Sequence, residues 1–210
     1  MNHLILLGDS IFDNRAYVAG DPAVIDQVQG LLPKGWQASL LAVDGNVALN
    51  VLDQLKRMPS DVTHLVISAG GNDALGVLSE LHRSAPMPNM ATLQILSKIQ
   101  LKFETEYTEV IATAMSTGKP ILACTIYDSV PGLSPELRSA LSLFNDVILR
   151  VCARQGIPVL DLRAICDEPS DYSVVSPIEP SSTGGQKIAR RMVKVVTQHN
   201  FGDRACQLYV

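Results

Sequence analysis

Gly8-Asp9-Ser10 sets a hydroxyl directly after the first apolar run of the chain, residues 3–7. A serine on a strand-to-loop turn is lifted clear of a sheet, where its oxygen can meet a carbonyl carbon. Two further blocks follow later apolar runs: Asp44-Gly45-Asn46 and Gly70-Gly71-Asn72-Asp73. Attack of a hydroxyl on an ester creates a tetrahedral oxyanion, and donors aimed at that oxygen are worth about 3 to 4 kcal/mol each when well placed. By type, the Ser10 N–H, the Gly45 N–H and the Asn72 carboxamide are such donors, and Gly45 has no Cβ to keep its backbone from the substrate. Each piece also has a purely structural use. Gly8 and Gly70 serve as tight turns, Asn72 as the cap of a following helix, and Asp9 and Asp73 as acceptors for amides of their own loops. A fourth element that such chemistry normally requires, a histidine in a further block near the C-terminus, is absent.

The elements that must carry these blocks are legible as alternating apolar runs and amphipathic stretches. Residues 3–7, 38–43, 62–69, 120–126 and 157–162 are short, apolar on both alternations and bounded by turn residues, the pattern of interior parallel strands covered on both faces. Helices are expected at 22–32, with Asp21 as N-cap and Pro22 at the first position, and at 47–58 and 90–117. The last of these carries an apolar stripe through Leu93, Leu96, Ile99, Phe103, Tyr107, Val110 and Ala114. Two more are expected at 134–154, ended by Gly156, and at 184–199, opened by Thr183 and Gln186 in capping-box spacing. Alternation of this kind predicts an α/β three-layer sandwich of five parallel strands with right-handed crossovers. Ligands bind beyond the carboxyl ends of such strands, and Ser10, Gly45 and Asn72 each follow a strand end. Residues 1–199 are expected to form one domain and 200–210 a short tail.

Composition excludes other classes. Seventeen basic and 21 acidic residues give a net charge of −4. There is no basic stripe, and Arg190-Arg191 is an isolated basic pair, so no nucleic-acid partner is expected. No run approaches the roughly 18 to 20 apolar residues of a membrane span, and the apolar start has neither a basic region before it nor a cleavage site after it. Cys124, Cys152, Cys166 and Cys206 are scattered, without a Cys-x-x-Cys pair. They are expected to be reduced thiols of a cytoplasmic protein.

The three blocks, in order and spacing over nearly the whole chain, resemble those of the SGNH hydrolases, the GDSL esterases and lipases. The resemblance implies a flavodoxin-like strand order 2-1-3-4-5. It also implies Ser10 as nucleophile, with Gly45 and Asn72 completing an oxyanion hole with the Ser10 N–H. The last block departs. The family carries Asp-x-x-His-Pro before its final helix, the histidine as base and the aspartate orienting it. This chain reads Ser176-Pro177-Ile178-Glu179-Pro180, which sets Ser176 in the aspartate's place and Glu179 in the histidine's.

Among the four histidines, His3 and His64 open strands and His199 ends the last helix, whereas His82 lies in a loop, 81–89, that can fold over the site. Otherwise Glu179 must carry the proton. A solvated carboxylate with a pKa near 4.3 is a weak base for serine, but burial beside Pro177, Ile178 and Pro180 raises it, and Ser176 can orient it. The competing reading is a weakened or inactive binding protein in which Glu179 holds a substrate hydroxyl or cation. Asp9, Asp13, Asp73 and Glu179 are oxygen ligands by type, but their spacing matches no established Mg²⁺ or Ca²⁺ loop, so neither metal nor other cofactor is expected. The expectation is a hydrolase of a small acyl ester or acylated carbohydrate, with Ser10 and Glu179 catalytic and Asp9, Asp73 and Ser176 in support. The oligomeric state is left open.

Overall fold

Leu4, Ile5, Leu6 and Leu7 are fully buried on both alternations, which requires cover on both faces of their strand. The computed structural model describes residues 1–83 and 89–210 and sets this strand inside a six-stranded parallel sheet of order β2-β1-β3-β4-β5-β6. The strands are β1 (Asn2–Gly8), β2 (Trp36–Leu40), β3 (His64–Ser68), β4 (Ile121–Cys124), β5 (Val159–Leu160) and β6 (Leu208–Tyr209). The expected order 2-1-3-4-5 is present, with one strand added. Residues 200–210, read from sequence as a tail, supply β6, whose Leu208 and Tyr209 pair with Val159 and Leu160. Only two residues pair there, too few to give a periodic signal.

Ile5 and Leu7 of β1 pack with Leu65 and Ile67 of β3 against one helical layer. It is made of α2 (Val51–Lys56), α4 (Asn89–Ser116) and α5 (Pro135–Gln155). Leu4, Leu6 and Val66 face the other layer, α1 (Val24–Leu31) and α7 (Ser182–Gln198). α3 (Gly71–Arg83), which starts at the third block, adds Ala74 to the first layer, and α6 (Leu162–Ile165), which follows β5, adds Leu162 and Ile165 to the second. The stripe on α4 is buried from Phe103 to Ala114, while Leu93 is exposed.

Several helix starts differ from expectation because their caps come from elsewhere in the chain. α1 begins at Val24, whose N–H is taken by Asn14 Oδ1 at 2.9 Å, while Asp26 accepts from Ala23 N–H at 3.0 Å, so Asp21 is not the cap. α7 begins at Ser182, not 184. Ser181 Oγ accepts from Gly184 N–H at 3.1 Å and donates to the Ser170 carbonyl at 2.6 Å, which places the cap two residues before Thr183. The expected α5 is found as read, with Ser134 capping Leu137 N–H and Gly156 closing it at φ 66. The 47–58 helix is a single 3₁₀ turn, Ala48–Asn50, followed by α2. The expected loop 81–89 is shorter at both ends, since α3 runs to Arg83 and α4 starts at Asn89. Residues 84–88 lie outside the described residues.

Candidate active site

Gly8 ends β1 against β3 so closely that a Cβ there would lie 1.7 Å from the Ser68 carbonyl oxygen, with φ at 132. Only glycine fits, and the chain leaves the sheet at that point. Asp9 C=O then accepts from the N–H groups of Phe12 and Asp13, both at 3.1 Å, starting a turn in which Ser10 N–H has no partner among the described residues. Gln54, buried on α2, fixes this corner. Its Oε1 accepts from Gly8 N–H at 2.8 Å, and its Nε2 donates to Gly8 C=O at 2.7 Å and to Asn46 Oδ1 at 3.0 Å. One side-chain amide thus extends the ladder past the strand end and ties the first block to the second.

The second and third blocks are joined as firmly. Asn72 Nδ2 donates to the Asn46 carbonyl at 2.9 Å, and Asp73 Oδ2 accepts from Ala48 N–H at 2.9 Å. Asn72 therefore does not cap α3, which starts at Gly71, and one N–H of its carboxamide remains for another acceptor. Gly45 is exposed with φ at 78 and open space where a Cβ would be; among the described residues its N–H has no partner either. Asp9 does bond within its own loop, through Oδ1 to Ile11 N–H at 3.1 Å.

Glu179 comes to the same rim on the loop between β5 and α7, held at four points. Its N–H donates to Ser176 C=O at 3.0 Å and its C=O accepts from Ser173 N–H at 2.8 Å. Tyr127 OH donates to Ile178 C=O at 2.6 Å, and Asn14 Nδ2 to Pro180 C=O at 3.1 Å. Both Ser10 and Glu179 are buried, 6% and 5% exposed. Burial raises the Glu179 pKa above the ordinary value, the neighbouring Ser10 side chain lowers it, and the charge of Asp44 raises it again. Among the described residues, Glu179 Oε2 is buried without a hydrogen-bond partner. Ser176 meets Glu179 through its backbone carbonyl, so its hydroxyl does not orient the carboxyl. Asp9, fully enclosed, is pushed up to about 7 by burial and by the charges of Glu179 and Asp73, against the Ile11 hydrogen bond. Asp73 is raised by burial, with the Ala48 N–H opposing.

The histidines are engaged elsewhere. His3 contacts Asp61 at 3.0 Å and Ser39 at 2.8 Å, and His64 contacts Thr63 at 2.9 Å. His199 reaches the Tyr209 hydroxyl at 2.8 Å. The side chain of His82 lies outside the described residues. Among those described, no group of three or more His, Cys, Asp or Glu side chains is arranged to hold a metal, so Asp9, Asp13, Asp73 and Glu179 do not form such a cluster. Nor is any described helix long and apolar enough to cross a membrane.

The parallel sheet of order 2-1-3-4-5 between two helical layers defines an α/β sandwich of the flavodoxin-like kind that SGNH hydrolases share. Residues 6–186 match the GDSL-like Lipase/Acylhydrolase family model, and the chain belongs to that family of ester-cleaving hydrolases. Similar solved structures include Lip_vut3, a lipase from a goat rumen metagenome, with TM-score 0.68 and 16% identity over 91% of this chain and 96% of that one. A lipase/acylhydrolase from Enterococcus faecalis gives 0.65 and 20% over 93% and 95%. An acetyl xylan esterase from Geobacillus stearothermophilus gives 0.63 and 17% over 92% and 93%. At such identities the likeness is one of fold. No curated protein sequence matches the chain.

Sequence reasoning missed Gln54, Asn14 and Tyr127 because their partners lie 46, 166 and 51 residues away. Gln54 does leave a trace, a polar residue on the same helical face as the apolar Val51 and Leu55.

Proposed function

We propose that the protein hydrolyses a small acyl ester or an acylated carbohydrate through a Ser10 nucleophile, with Glu179 as a base in the place of the family's histidine. The observation that carries this reading is a buried Glu179 carboxyl whose pKa is lowered by the neighbouring Ser10 side chain, beside three donors that have a free N–H among the described residues. Glu179 as carboxylate takes the Oγ proton while Oγ bonds to the acyl carbon, and the carbonyl electron pair moves onto its oxygen. Ser10 N–H, Gly45 N–H and Asn72 Nδ2 receive that oxyanion. Collapse expels the alcohol, which leaves with the proton from Glu179, and an acyl-serine remains. Water repeats the sequence, giving its proton to Glu179 and its oxygen to the acyl group, and Ser10 recovers a proton as it leaves. A carboxyl raised by burial is a stronger base than a solvated one, which makes this exchange workable nearer neutral pH.

Asp9 and Asp73 support the loops, and the site draws on residues from Gly8 to Pro180, in keeping with one catalytic domain over 1–199. Four free thiols, three of them buried, favour a reducing, cytoplasmic setting. The partnerless Glu179 Oε2 also suits a second reading, a binding protein that holds a substrate hydroxyl there. Hydrolysis of nitrophenyl acetate separates the two. Turnover that falls to background in Ser10→Ala supports the hydrolase, whereas equal rates in variant and wild type remove Ser10 as nucleophile.

A further inference from the structure

Two hollows flank the rim and differ in size and chemistry. The smaller, about 70 Å³, lies between Gly71, Ala74 and Leu75 of α3, Ile126 and Leu141, and Ile178. Gly71 precedes the oxyanion donor Asn72 and Ile178 precedes Glu179. A Cβ on Gly71 would stand 3.6 Å from Asp9 Oδ2, so the hollow adjoins the first and third blocks and the Glu179 loop. Tyr127, also in its wall, has its hydroxyl committed to Ile178 C=O. Every other side chain in the wall is apolar, so the hollow suits hydrocarbon and not a hydroxylated group. The larger cleft, about 560 Å³, lies beyond Asn72 and includes Asp73, Lys102 and Glu106 beside Phe103. A cavity of about 150 Å³ accepts a benzene ring, so one of half that volume has room for a tail of about two to four carbons.

Resting on the ester-hydrolase reading, we propose that the small hollow is the acyl site, that Leu75, Ile126 and Leu141 limit the acyl group to about four carbons, and that the wider cleft, which carries Asp73, Lys102 and Glu106 in its wall, takes the alcohol part. Each methylene beyond the wall costs about tenfold or more in kcat/KM, the scale on which apolar pockets discriminate chain length.

The test is kcat/KM for nitrophenyl acetate, butyrate, hexanoate and octanoate, with acetyl esters of glycerol and xylose as the alcohol series. Wild type is expected to favour acetate or butyrate at least tenfold over octanoate. Leu141→Ala opens the back of the hollow and moves the optimum to longer chains. Leu75 is 39% exposed, so Leu75→Trp narrows the mouth without threatening the core, and it should depress butyrate at least tenfold more than acetate. A flat wild-type chain-length profile overturns the inference and leaves the hydrolase standing. So does a Leu75→Trp effect equal for all acyl chains, or one that follows the alcohol series instead. Failure to cleave any of these esters removes both readings together.

Discussion

Replacing Asp9 by Asn removes a buried ionisable group while keeping an oxygen for Ile11 N–H. The carboxyl, ordinarily at 3.8, stands at about 7 in the folded protein because it is fully buried and faces the charges of Glu179 and Asp73. The folded state therefore holds this proton more tightly than the unfolded chain. Its stabilising contribution is whole below pH 3.8 and is lost as the pH rises through about 7. A difference of about three pH units corresponds to about 4 kcal/mol. The stability of wild type relative to Asp9→Asn should accordingly fall by up to about 4 kcal/mol between pH 4 and pH 8, with the descent spread across the window between the two pKa values. Urea unfolding at pH 4.5, 6 and 8, at constant ionic strength and with unchanged m-values, measures it. A difference that is independent of pH, or that grows in favour of wild type as pH rises, would refute the burial argument.

Glu179→Gln deletes the base and keeps the shape, so kcat should fall about 10²-fold or more. Wild-type activity should rise with pH as Glu179 ionises, with its acid limb above that of a solvated glutamate, since burial raises the pKa; a pH profile of kcat/KM shows whether the variant loses that limb. Asn72→Ala should cost about 10²- to 10³-fold in kcat with little change in KM, as measured on nitrophenyl acetate. Gln54→Leu strands the Gly8 N–H and C=O at the buried corner and should lower stability by about 2 to 5 kcal/mol in urea unfolding.

The strand-end blocks were legible because Leu4 to Leu7 and Leu65 to Ile67 are apolar on both faces, a pattern that commits them to the interior of a parallel sheet. Once those strands were placed, Ser10, Gly45 and Asn72 had to emerge at one rim. Their cross-bracing was not legible. It depends on buried amides acting at a distance, Gln54 on Gly8, Asn14 on Pro180, and Asn145 on both the N–H and C=O of Ile126 at 2.8 Å. Asn145 sits among Leu141, Phe144 and Ile148 on the buried face of α5, where a polar residue signals a backbone partner but not which one. Helix starts failed for the same reason: Asn14 tethers the start of α1 from outside the helix, and Ser181 is selected by its contact with Ser170. The burial of Glu179 was foreseen from its proline neighbours, whereas orientation by the Ser176 hydroxyl was not realised, because the tight turn turns the backbone carbonyl of Ser176 to the Glu179 N–H.

The most direct measurement is mass spectrometry after treatment with a fluorophosphonate ester, whose phosphorus accepts an activated serine oxygen as fluoride leaves. Ser10 should gain one phosphonyl group, located on the peptide that contains it, with labelling strongly slowed in Glu179→Gln and absent in Ser10→Ala. An unlabelled wild-type protein, or label carried by another residue at an undiminished rate in Ser10→Ala, would contradict a nucleophile at Ser10.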